Sequence, residues 1–285
     1  MLFDRKIFVI VPAYNEERLI ASTLRSIPSF VDRIWVIDDA SCDGTAQVAK
    51  CVNDTRIEVV SHAANLGVGA AIVTGYKKAL SNPGHPHDAL AVMAGDGQMA
   101  PDDLNRLVQP VVQGKADYAK GDRFSSDEIF RMPLERRIGG KIFSKLTSLA
   151  IGQTISDSQC GYTAISRKAC THLELDLLWP RYGYPNDLLG QLAARQMKVV
   201  HAPVRPIYAG ESSGLTISHL PRIAWLIARA GWRCRKQRHS LLELESVGCG
   251  GATEVDQQLL ENQERGSART FEIAIGSGKR EEPAL

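Results

Sequence analysis

Short apolar segments alternate with stretches of helical periodicity along the first 124 residues of the chain. The apolar segments predict β-strands at 6–11, 33–38, 56–61, 88–94 and 116–124. The periodic stretches predict helices at 16–27, 44–53, 67–80 and 101–112. Nearly continuous apolar strands that alternate with helices are typical of a parallel sheet with both faces covered. We therefore expect an α/β fold with a mostly parallel, Rossmann-like sheet and helices on both faces.

Polar and glycine-rich clusters follow the first predicted strands. They are PAYNEE after the first strand, DDASCDGT after the second, NLGVGAA after the third and GDGQ after the fourth. A turn or a helix cap would explain each cluster on its own, as the pair Asp43 and Gly44 illustrates. In a parallel sheet, however, ligands bind at the carboxyl ends of the strands. Together the clusters therefore favour a nucleotide-type site at that edge of the sheet.

Two later segments have the pattern of amphipathic helices. The apolar face of the first, at 134–152, comprises Ile142, Phe143, Leu146, Leu149 and Ala150. Lys141 and Lys145 lie on its opposite face, and ordinary packing on the sheet would also produce this pattern. The second, at 221–238, carries a basic stripe with two tryptophans beside it: Arg222, Arg229, Arg233 and Lys236, flanked by Trp225 and Trp232. Such a stripe suits a membrane interface or the solvated face of a packed helix, and both interpretations stay open here.

The remaining segments complete the expected organisation of the chain. They predict a strand after a loop within 156–169, a helix at 184–196 and a strand pair interrupted by prolines at 198–210. Beyond residue 240 the periodicity fades, and the composition becomes rich in Gly, Ser, Glu and Gln, which is typical of disorder. We therefore expect three parts: an α/β domain at 1–212, a basic amphipathic helix at 213–239 and a polar, disordered tail at 240–285.

Composition narrows the classes of function. A chain of 285 residues with 44% hydrophobic residues can bury one large core. Its formal net charge of +2 argues against nucleic acid as a partner. The cysteines show no metal spacing, and Pro12 interrupts the N-terminal apolar run too early for a signal peptide. No run has the length of a membrane-spanning helix, so we expect a cytoplasmic protein, with surface attachment to a membrane left open.

The loop motifs occur in an order that resembles one known family. VPAYNE, DDASCDGT, NLGVGAA, GDGQM, GDRF, SDSQCGYTAISR and YGYPNDLL follow one another at sensible spacing. Together they resemble the inverting glycosyltransferases of family two, in the branch of dolichyl-phosphate mannose synthase and the bacterial polyprenyl-phosphate glycosyltransferases. The resemblance covers residues 6 to about 236. It implies a GT-A fold, a UDP- or GDP-linked sugar as donor, and Mg²⁺ or Mn²⁺ as cofactor.

The resemblance also assigns donor-binding positions in this sequence. The match to the donor-nucleotide loop comprises Pro12, Tyr14 and Glu16. Asp38 and Asp39 match the acidic pair that contacts base and ribose, and Asn65 and Gly67 match the loop before the third helix.

The metal and catalytic positions follow from the same motifs. Asp96 matches the last acid of the Asp-x-Asp element, with Gln98 two positions on, so both are expected at the metal. Arg123 and Arg137 match basic residues near the diphosphate and the acceptor phosphate. Asp187 falls where related enzymes have an acidic residue.

One position departs from the pattern. Ala94 replaces the first acid of the Asp-x-Asp element. Mg²⁺ usually keeps several waters and takes only one or two protein carboxylates besides phosphate oxygens. Asp96 with the donor can therefore still hold the cation, although more weakly.

The acceptor determines which further chemistry is needed. A lipid phosphate is already ionised and needs only positioning, for which Arg136, Arg137, Lys141 and Lys145 are candidates. A sugar hydroxyl would need a general base, and Asp187 is the candidate. We expect a polyprenyl phosphate acceptor at the inner face of the cytoplasmic membrane, with attachment through the two helices or a membrane partner. A glycosyltransferase acting on a glycan hydroxyl and a non-catalytic nucleotide-sugar-binding subunit are the alternatives.

Overall fold

The computed structural model of the protein describes residues 2–207 and 223–239, and its centre is a seven-stranded sheet. The strands are β1 Ile7–Ala13, β2 Arg33–Asp38, β3 Ile57–Ser61, β4 Ala89–Val92, β5 Tyr118–Asp122, β6 Thr163–Ser166 and β7 Val199–Pro203. Their order across the sheet is β3-β2-β1-β4-β6-β5-β7. All neighbouring pairs are parallel except those of β6, which runs antiparallel to both β4 and β5.

The antiparallel β6 brings one additional loop to the edge of the sheet at which the predicted donor loops lie. Because β4 and β5 both run opposite to β6, their carboxyl ends lie at the same edge as those of β1 and β2. Val92 and Lys120 both pair with Thr163, the first residue of β6. The loop that precedes β6 therefore meets the loops that follow β4 and β5.

Helices cover both faces of the sheet, as the alternation predicts. They are α1 Ile20–Ser26, α2 Thr45–Lys50, α3 Val68–Leu80, α4 Leu104–Val112, α5 Leu134–Ile151, α6 Arg167–Thr171, α7 Tyr184–Ala194 and α8 at 223–239.

The two faces of β1 explain its continuous apolar run. Ile7, Val9 and Val11 pack in the core beneath α1, α2 and α4. Phe8 and Ile10 pack in the core beneath α3, α6 and α7. Burial of each such side chain contributes about 1.5–3 kcal/mol to the free energy of folding. The predicted mostly parallel α/β sheet is confirmed.

Several predicted boundaries differ from those observed. The helix predicted from residue 16 begins at Ile20, since residues 16–19 form a turn after Asn15, whose φ of 56° is left-handed. The helix predicted from residue 101 begins with a 3₁₀ turn and continues as α4. Of the strand pair predicted at 198–210, β7 is present, and residues 208–210 lie outside the described part.

The first amphipathic helix packs differently from the simplest expectation. It is present as α5, but only part of its predicted apolar face is inward: Phe143 is buried, whereas Ile142 and Leu149 are 53% and 72% exposed. Ordinary packing on the sheet therefore does not account for this face.

The second amphipathic helix also differs. In α8, Arg229 and Arg233 lie half-buried against the domain, whereas Lys236 and the flanking Trp225 and Trp232 are exposed. Only part of the predicted stripe therefore lies on the surface. Arg222 and the tail predicted at 240–285 lie outside the described residues, and the three-part division of the chain stays a prediction. Within 2–207 and 223–239, no helix is both long and apolar enough to cross a membrane.

Candidate active site

The loops after β1 and β2 are joined by side-chain hydrogen bonds. The backbone N–H of Asn15 donates to Oγ of Ser41 at 2.9 Å, and Oδ1 of Asn15 accepts from the N–H of Cys42 at 2.9 Å. The N–H of Glu16 donates to Oγ1 of Thr45 at 2.8 Å. These bonds hold two of the predicted donor loops in one arrangement. The left-handed backbone of Asn15 places this residue between the two loops.

Asp39 connects the β2 loop to the loop that follows β3. It is 3% exposed, and its Oδ1 accepts from the N–H of Leu66 at 2.9 Å, while Oδ2 accepts from the N–H of Gly67 at 2.7 Å. Nδ1 of His62 lies 2.7 Å from Oδ1 of Asp39, and its Nε2 lies 2.9 Å from Oγ1 of Thr74. His62 was not among the predicted site residues. Its position directly after β3 is the signal that could have identified it.

Asp38 and Pro12 also accept hydrogen bonds from the backbone of loops at this edge of the sheet. Oδ1 of the buried Asp38 accepts from the N–H of Ser41 at 3.3 Å. The carbonyl oxygen of Pro12 accepts from the N–H of Gly95 at 3.1 Å, which joins the β1 loop to the β4 loop. Tyr14 is 46% exposed at this edge, where it is accessible to a ligand.

The loop before α3 requires glycine at Gly67. Its φ of 99° lies in the left-handed region, and a Cβ there would be 2.6 Å from Cγ of Arg181 and 2.7 Å from the carbonyl oxygen of Pro180. NH1 of Arg181 also donates to Oδ1 of Asn65 at 3.3 Å. Asn65 and Gly67 are therefore placed together and are held from the side by residues 180 and 181.

Asp96 lies in the turn after β4, at the same edge of the sheet. Its Oδ1 accepts from the N–H of Gln98 at 2.9 Å, and Gly97 between them has a left-handed φ of 71°. Thr23 Oγ1 donates to the carbonyl oxygen of Gly95 at 3.3 Å, so the turn is tied to α1. Both Asp96 and Gln98 are half-exposed.

The donor set at Asp96 fits a hard cation that keeps other ligands. It offers one carboxylate and one amide oxygen, and no group of three or more His, Cys, Asp or Glu that could hold a metal occurs among residues 2–207 and 223–239. Mg²⁺ and Mn²⁺ accept oxygen ligands, and Mg²⁺ retains waters and substrate phosphates in such sites. Asp96 and Gln98 would therefore hold the cation jointly with a diphosphate.

Arg123 is held by a buried carboxylate. Asp157, in the loop before β6, is fully buried and receives two parallel bonds from Arg123, at 2.7 Å from Nε and 3.0 Å from NH2. The N–H groups of Gln159 and Cys160 donate to the same carboxylate at 3.2 and 3.1 Å. Burial alone would raise the pKa of Asp157, but Arg123 and the nearby Lys120 hold it below its ordinary value of 3.8. This bidentate geometry fixes the guanidinium at the same edge of the sheet as Asp96.

Lys120 is a buried basic residue that was not predicted from the sequence. Its Nζ donates to the carbonyl oxygen of Cys160 at 2.7 Å, and burial lowers its pKa. It therefore supports the loop that carries Asp157. A lysine between Ala119 and Gly121 inside an apolar strand was the available signal.

Arg137 lies in the first turns of α5, next to the loop that follows β5. It is half-buried, and its Nε is buried without a hydrogen-bond partner among the described residues. Packing joins the two elements, because a Cβ at Gly140 would lie 2.6 Å from Cζ of Phe124, the residue after Arg123. Its predicted role at an acceptor phosphate stays a prediction.

Asp187 lies in the first turn of α7 with its side chain 2% exposed. Its Oδ2 accepts from the N–H of Trp179 at 2.9 Å and lies 3.3 Å from NH1 of Arg229 and 3.5 Å from NH1 of Arg233. Burial raises the pKa of Asp187 above its ordinary value of 3.8, although both arginines and the Trp179 amide oppose the rise. These described contacts lead to α8 rather than to Asp96 or Arg123. Its role as a general base stays a prediction.

Comparison with known proteins agrees with this arrangement. The sequence profile described as glycosyl transferase family 2 matches residues 8–173. The chain is 30% identical over 221 residues to the UDP-N-acetylglucosamine--dolichyl-phosphate N-acetylglucosaminyltransferase of Methanococcus voltae, covering 72% of this chain and 87% of that protein. It is 26% identical to the undecaprenyl-phosphate mannosyltransferase of Micrococcus luteus, covering 70% of this chain and 82% of the relative.

Solved structures with the same fold include glucosyl-3-phosphoglycerate synthase from Mycobacterium tuberculosis. Its complex with phosphoglyceric acid aligns with a TM-score of 0.59 and 23% identity, covering 81% of this chain and 80% of that one. This likeness confirms the expected GT-A fold. The profile covers more than half of the 285 residues, and the loop motifs that it spans meet at one edge of the sheet, so the chain belongs to glycosyl transferase family 2.

Proposed function

We propose that this protein is an inverting glycosyltransferase that moves a sugar from a UDP- or GDP-linked donor to a polyprenyl phosphate at a membrane surface. The names of the relatives support this acceptor, since they act on dolichyl phosphate and undecaprenyl phosphate. The observation that carries the proposal is the convergence of the Asp39, Asp96 and Arg123 loops at one edge of the sheet. In the reaction, the bond from the sugar to the nucleoside diphosphate breaks, and a bond to an oxygen of the acceptor phosphate forms.

The nucleotide-sugar donor would bind at the loops that are joined by hydrogen bonds at this edge of the sheet. The loops joined through Asp39 would receive the nucleoside, and Arg123 would face the diphosphate as negative charge develops on its leaving oxygen. Mg²⁺ or Mn²⁺ bound by Asp96 and Gln98 would neutralise part of the same charge. A solved structure of glucosyl-3-phosphoglycerate synthase contains Mn²⁺ and UDP. Because this chain resembles that enzyme only in fold, we infer the metal of this chain from Asp96.

The acceptor side rests on α5. Its exposed stripe consists of apolar residues at helical spacing: Leu134, Ile138, Ile142, Leu146 and Leu149. Lys141 and Lys145 on the same helix are exposed, and Arg137 lies towards its start. Inserting an apolar stripe into a lipid surface contributes up to about 1.5–3 kcal/mol for each side chain that becomes fully buried, and basic residues favour anionic headgroups. This helix would hold the protein on the inner face of the membrane, beside a lipid phosphate.

A hydroxyl acceptor is the second candidate, with Asp187 as the general base. The raised pKa of Asp187 favours it, because a base works best with a pKa near the working pH. Its burial and its two arginine partners disfavour it, since a substrate hydroxyl would have to displace them.

Incubation with undecaprenyl phosphate tests the proposal directly. Purified protein is combined with the lipid in vesicles, Mn²⁺ and a panel of labelled UDP- and GDP-sugars. We expect labelled lipid with at least one donor, and Asp96→Asn should remove most of the transfer. Asp102→Asn is the matched control, because that carboxylate is 86% exposed and only six positions away.

Two outcomes would count against the proposal. A protein that binds a nucleotide sugar but labels no lipid would be a binding subunit rather than a transferase. Transfer to a glycan hydroxyl, with none to the lipid, would favour the second candidate.

A further inference from the structure

Residues 177–183, here called the bridging segment, lie between the donor loop before α3 and helix α8. The segment contains Trp179, Pro180 and Arg181 and precedes α7. It is absent from the predicted donor motifs, yet it contacts two elements that are distant in sequence.

On one side, the bridging segment holds the donor loop. The carbonyl oxygen of Pro180 accepts from the N–H of Ala70 at 2.8 Å, in the first turn of α3. Arg181 donates from NH1 to Oδ1 of Asn65 at 3.3 Å and from NH2 to the Asn65 carbonyl at 3.4 Å. The segment also approaches Gly67 so closely that no side chain fits there. The position of the donor loop therefore depends on the bridging segment.

On the other side, α8 holds the bridging segment through Asp187. One carboxylate oxygen of Asp187 accepts from the N–H of Trp179 and faces both Arg229 and Arg233. NH1 of Arg233 also donates to the carbonyl oxygen of Leu177 at 2.7 Å. The Arg229 guanidinium carbon lies 5.2 Å from the ring centroid of Trp179, within cation–π distance.

This arrangement has a direct mechanical consequence. Because Asp187 is buried, loss of one arginine leaves the negative charge of its carboxylate only partly balanced. The carboxylate, which accepts the hydrogen bond from the N–H of Trp179, is then held less firmly in place. The disturbance would reach Pro180 and Arg181 next along the chain, and through them Asn65 and Ala70.

We propose that Arg229 and Arg233 of α8, together with Asp187, are positioning residues that hold the donor loop through the bridging segment and so set donor affinity. This inference rests on the proposed function, because it requires that residues 65–70 bind the donor. It assigns Asp187 a role other than that of a base. It also makes α8 part of the donor site, although none of its residues is among the predicted donor contacts.

The test measures donor binding in the full chain without lipid, so that membrane attachment cannot contribute. Titration calorimetry with UDP and with GDP, each in the presence of Mn²⁺, gives Kd for the wild type and for Arg229→Met. We expect Kd to rise about tenfold in the variant, within the range typical of coupling between sites. In the separate lipid transfer assay, kcat at saturating donor should stay within about twofold of the wild-type value. Arg235→Met is the matched control, since this exposed arginine lies on the same helix, and its Kd should equal that of the wild type.

Two further variants keep the test decisive if Arg229→Met folds poorly. Arg229→Lys retains the charge but loses the planar group over Trp179, so its Kd should lie between those of the wild type and Arg229→Met. Asp187→Asn should also raise Kd, and its combination with Arg229→Met should be no worse than the single changes, because both disrupt one unit.

Amide hydrogen exchange provides a readout independent of turnover. The N–H of Ala70, which donates to Pro180, should exchange faster in Arg229→Met and at the wild-type rate in Arg235→Met. Unchanged exchange and unchanged Kd in Arg229→Met would overturn the inference. Loss of kcat in Asp187→Asn with an unchanged Kd would overturn it as well, in favour of a base. If the wild type binds neither nucleotide, the proposed function fails, and the exchange measurement still decides the coupling.

Discussion

Replacement of Asp157 by asparagine tests how Arg123 is held. Asparagine has the same shape but no charge, and its amide must face either the guanidinium or the backbone N–H groups of Gln159 and Cys160, which now donate to the carboxylate. Loss of one member of a buried ion pair costs about 3–5 kcal/mol. The Arg123 side chain is 26% exposed, so water will partly stabilise its charge once Asp157 is replaced. We therefore expect a loss near the lower limit, about 3 kcal/mol.

Thermal unfolding measures this cost. For a domain of about 150–250 residues, 1 kcal/mol corresponds to about 2–4 °C in Tm, so Asp157→Asn should lower Tm by about 6–12 °C. Asp127→Asn is the control, because this carboxylate is exposed in the loop that follows β5, and its Tm should change by no more than about 2 °C. Since a mispositioned Arg123 would no longer face the developing charge, kcat in the lipid transfer assay should fall by about 10²–10³.

The two readouts together decide the role of the pair. If Asp157→Asn has the same Tm as the Asp127→Asn control and the same kcat as the wild type, the bond to Asp157 does not hold Arg123 in a productive position. If stability falls but kcat does not, the pair supports the fold and Arg123 is not needed for the reaction.

Other predictions concern the donor loop, pH, metal and membrane. Gly67→Ala should lose about 1–3 kcal/mol of stability because of its left-handed φ, whereas Gly139→Ala, whose added Cβ meets nothing within 4 Å, should not lose stability in the same melting experiment. Because the folded pKa of Asp157 lies below 3.8, the stability it contributes is complete above that pH and is lost as pH falls through the folded value; acid titration should therefore show a smaller loss in Asp157→Asn. Chelation of divalent ions should abolish transfer, and added Mn²⁺ should restore it; transfer that persists after chelation would contradict a metal at Asp96. Ile142→Ser combined with Leu149→Ser should weaken vesicle sedimentation with little change in Tm, because both side chains are exposed; equal sedimentation would exclude this stripe as the membrane contact.

The sheet could be predicted because the apolar pattern of its strands is visible in the sequence itself. β1, β2 and β4 are apolar on both faces, which is typical of a covered parallel sheet, and the loops after parallel strands meet at one edge. The direction of β6 could not be predicted in this way. A segment of four buried residues has the same pattern whichever way it runs, and its direction depends on the neighbours with which it pairs.

The sequence did not predict which groups surround the charged residues. Helical spacing placed Arg229 and Arg233 on one stripe but could not show that a buried acid on another helix faces them. The same limit applies to Ile142 and Leu149, because periodicity gives a face of a helix and not what covers it. His62 was missed because its partner Asp39 lies in a different loop, and only the folded sheet brings the two together.

A crystal structure of the protein with Mn²⁺ and UDP or GDP, with the metal located by its anomalous scattering, tests the central claim most directly. We predict Mn²⁺ bonded to Asp96 and to a diphosphate oxygen, Arg123 within hydrogen-bond distance of the same diphosphate, and the nucleoside against the loops that Asp39 joins. A nucleotide bound elsewhere, or a diphosphate that contacts neither Asp96 nor Arg123, would contradict the account.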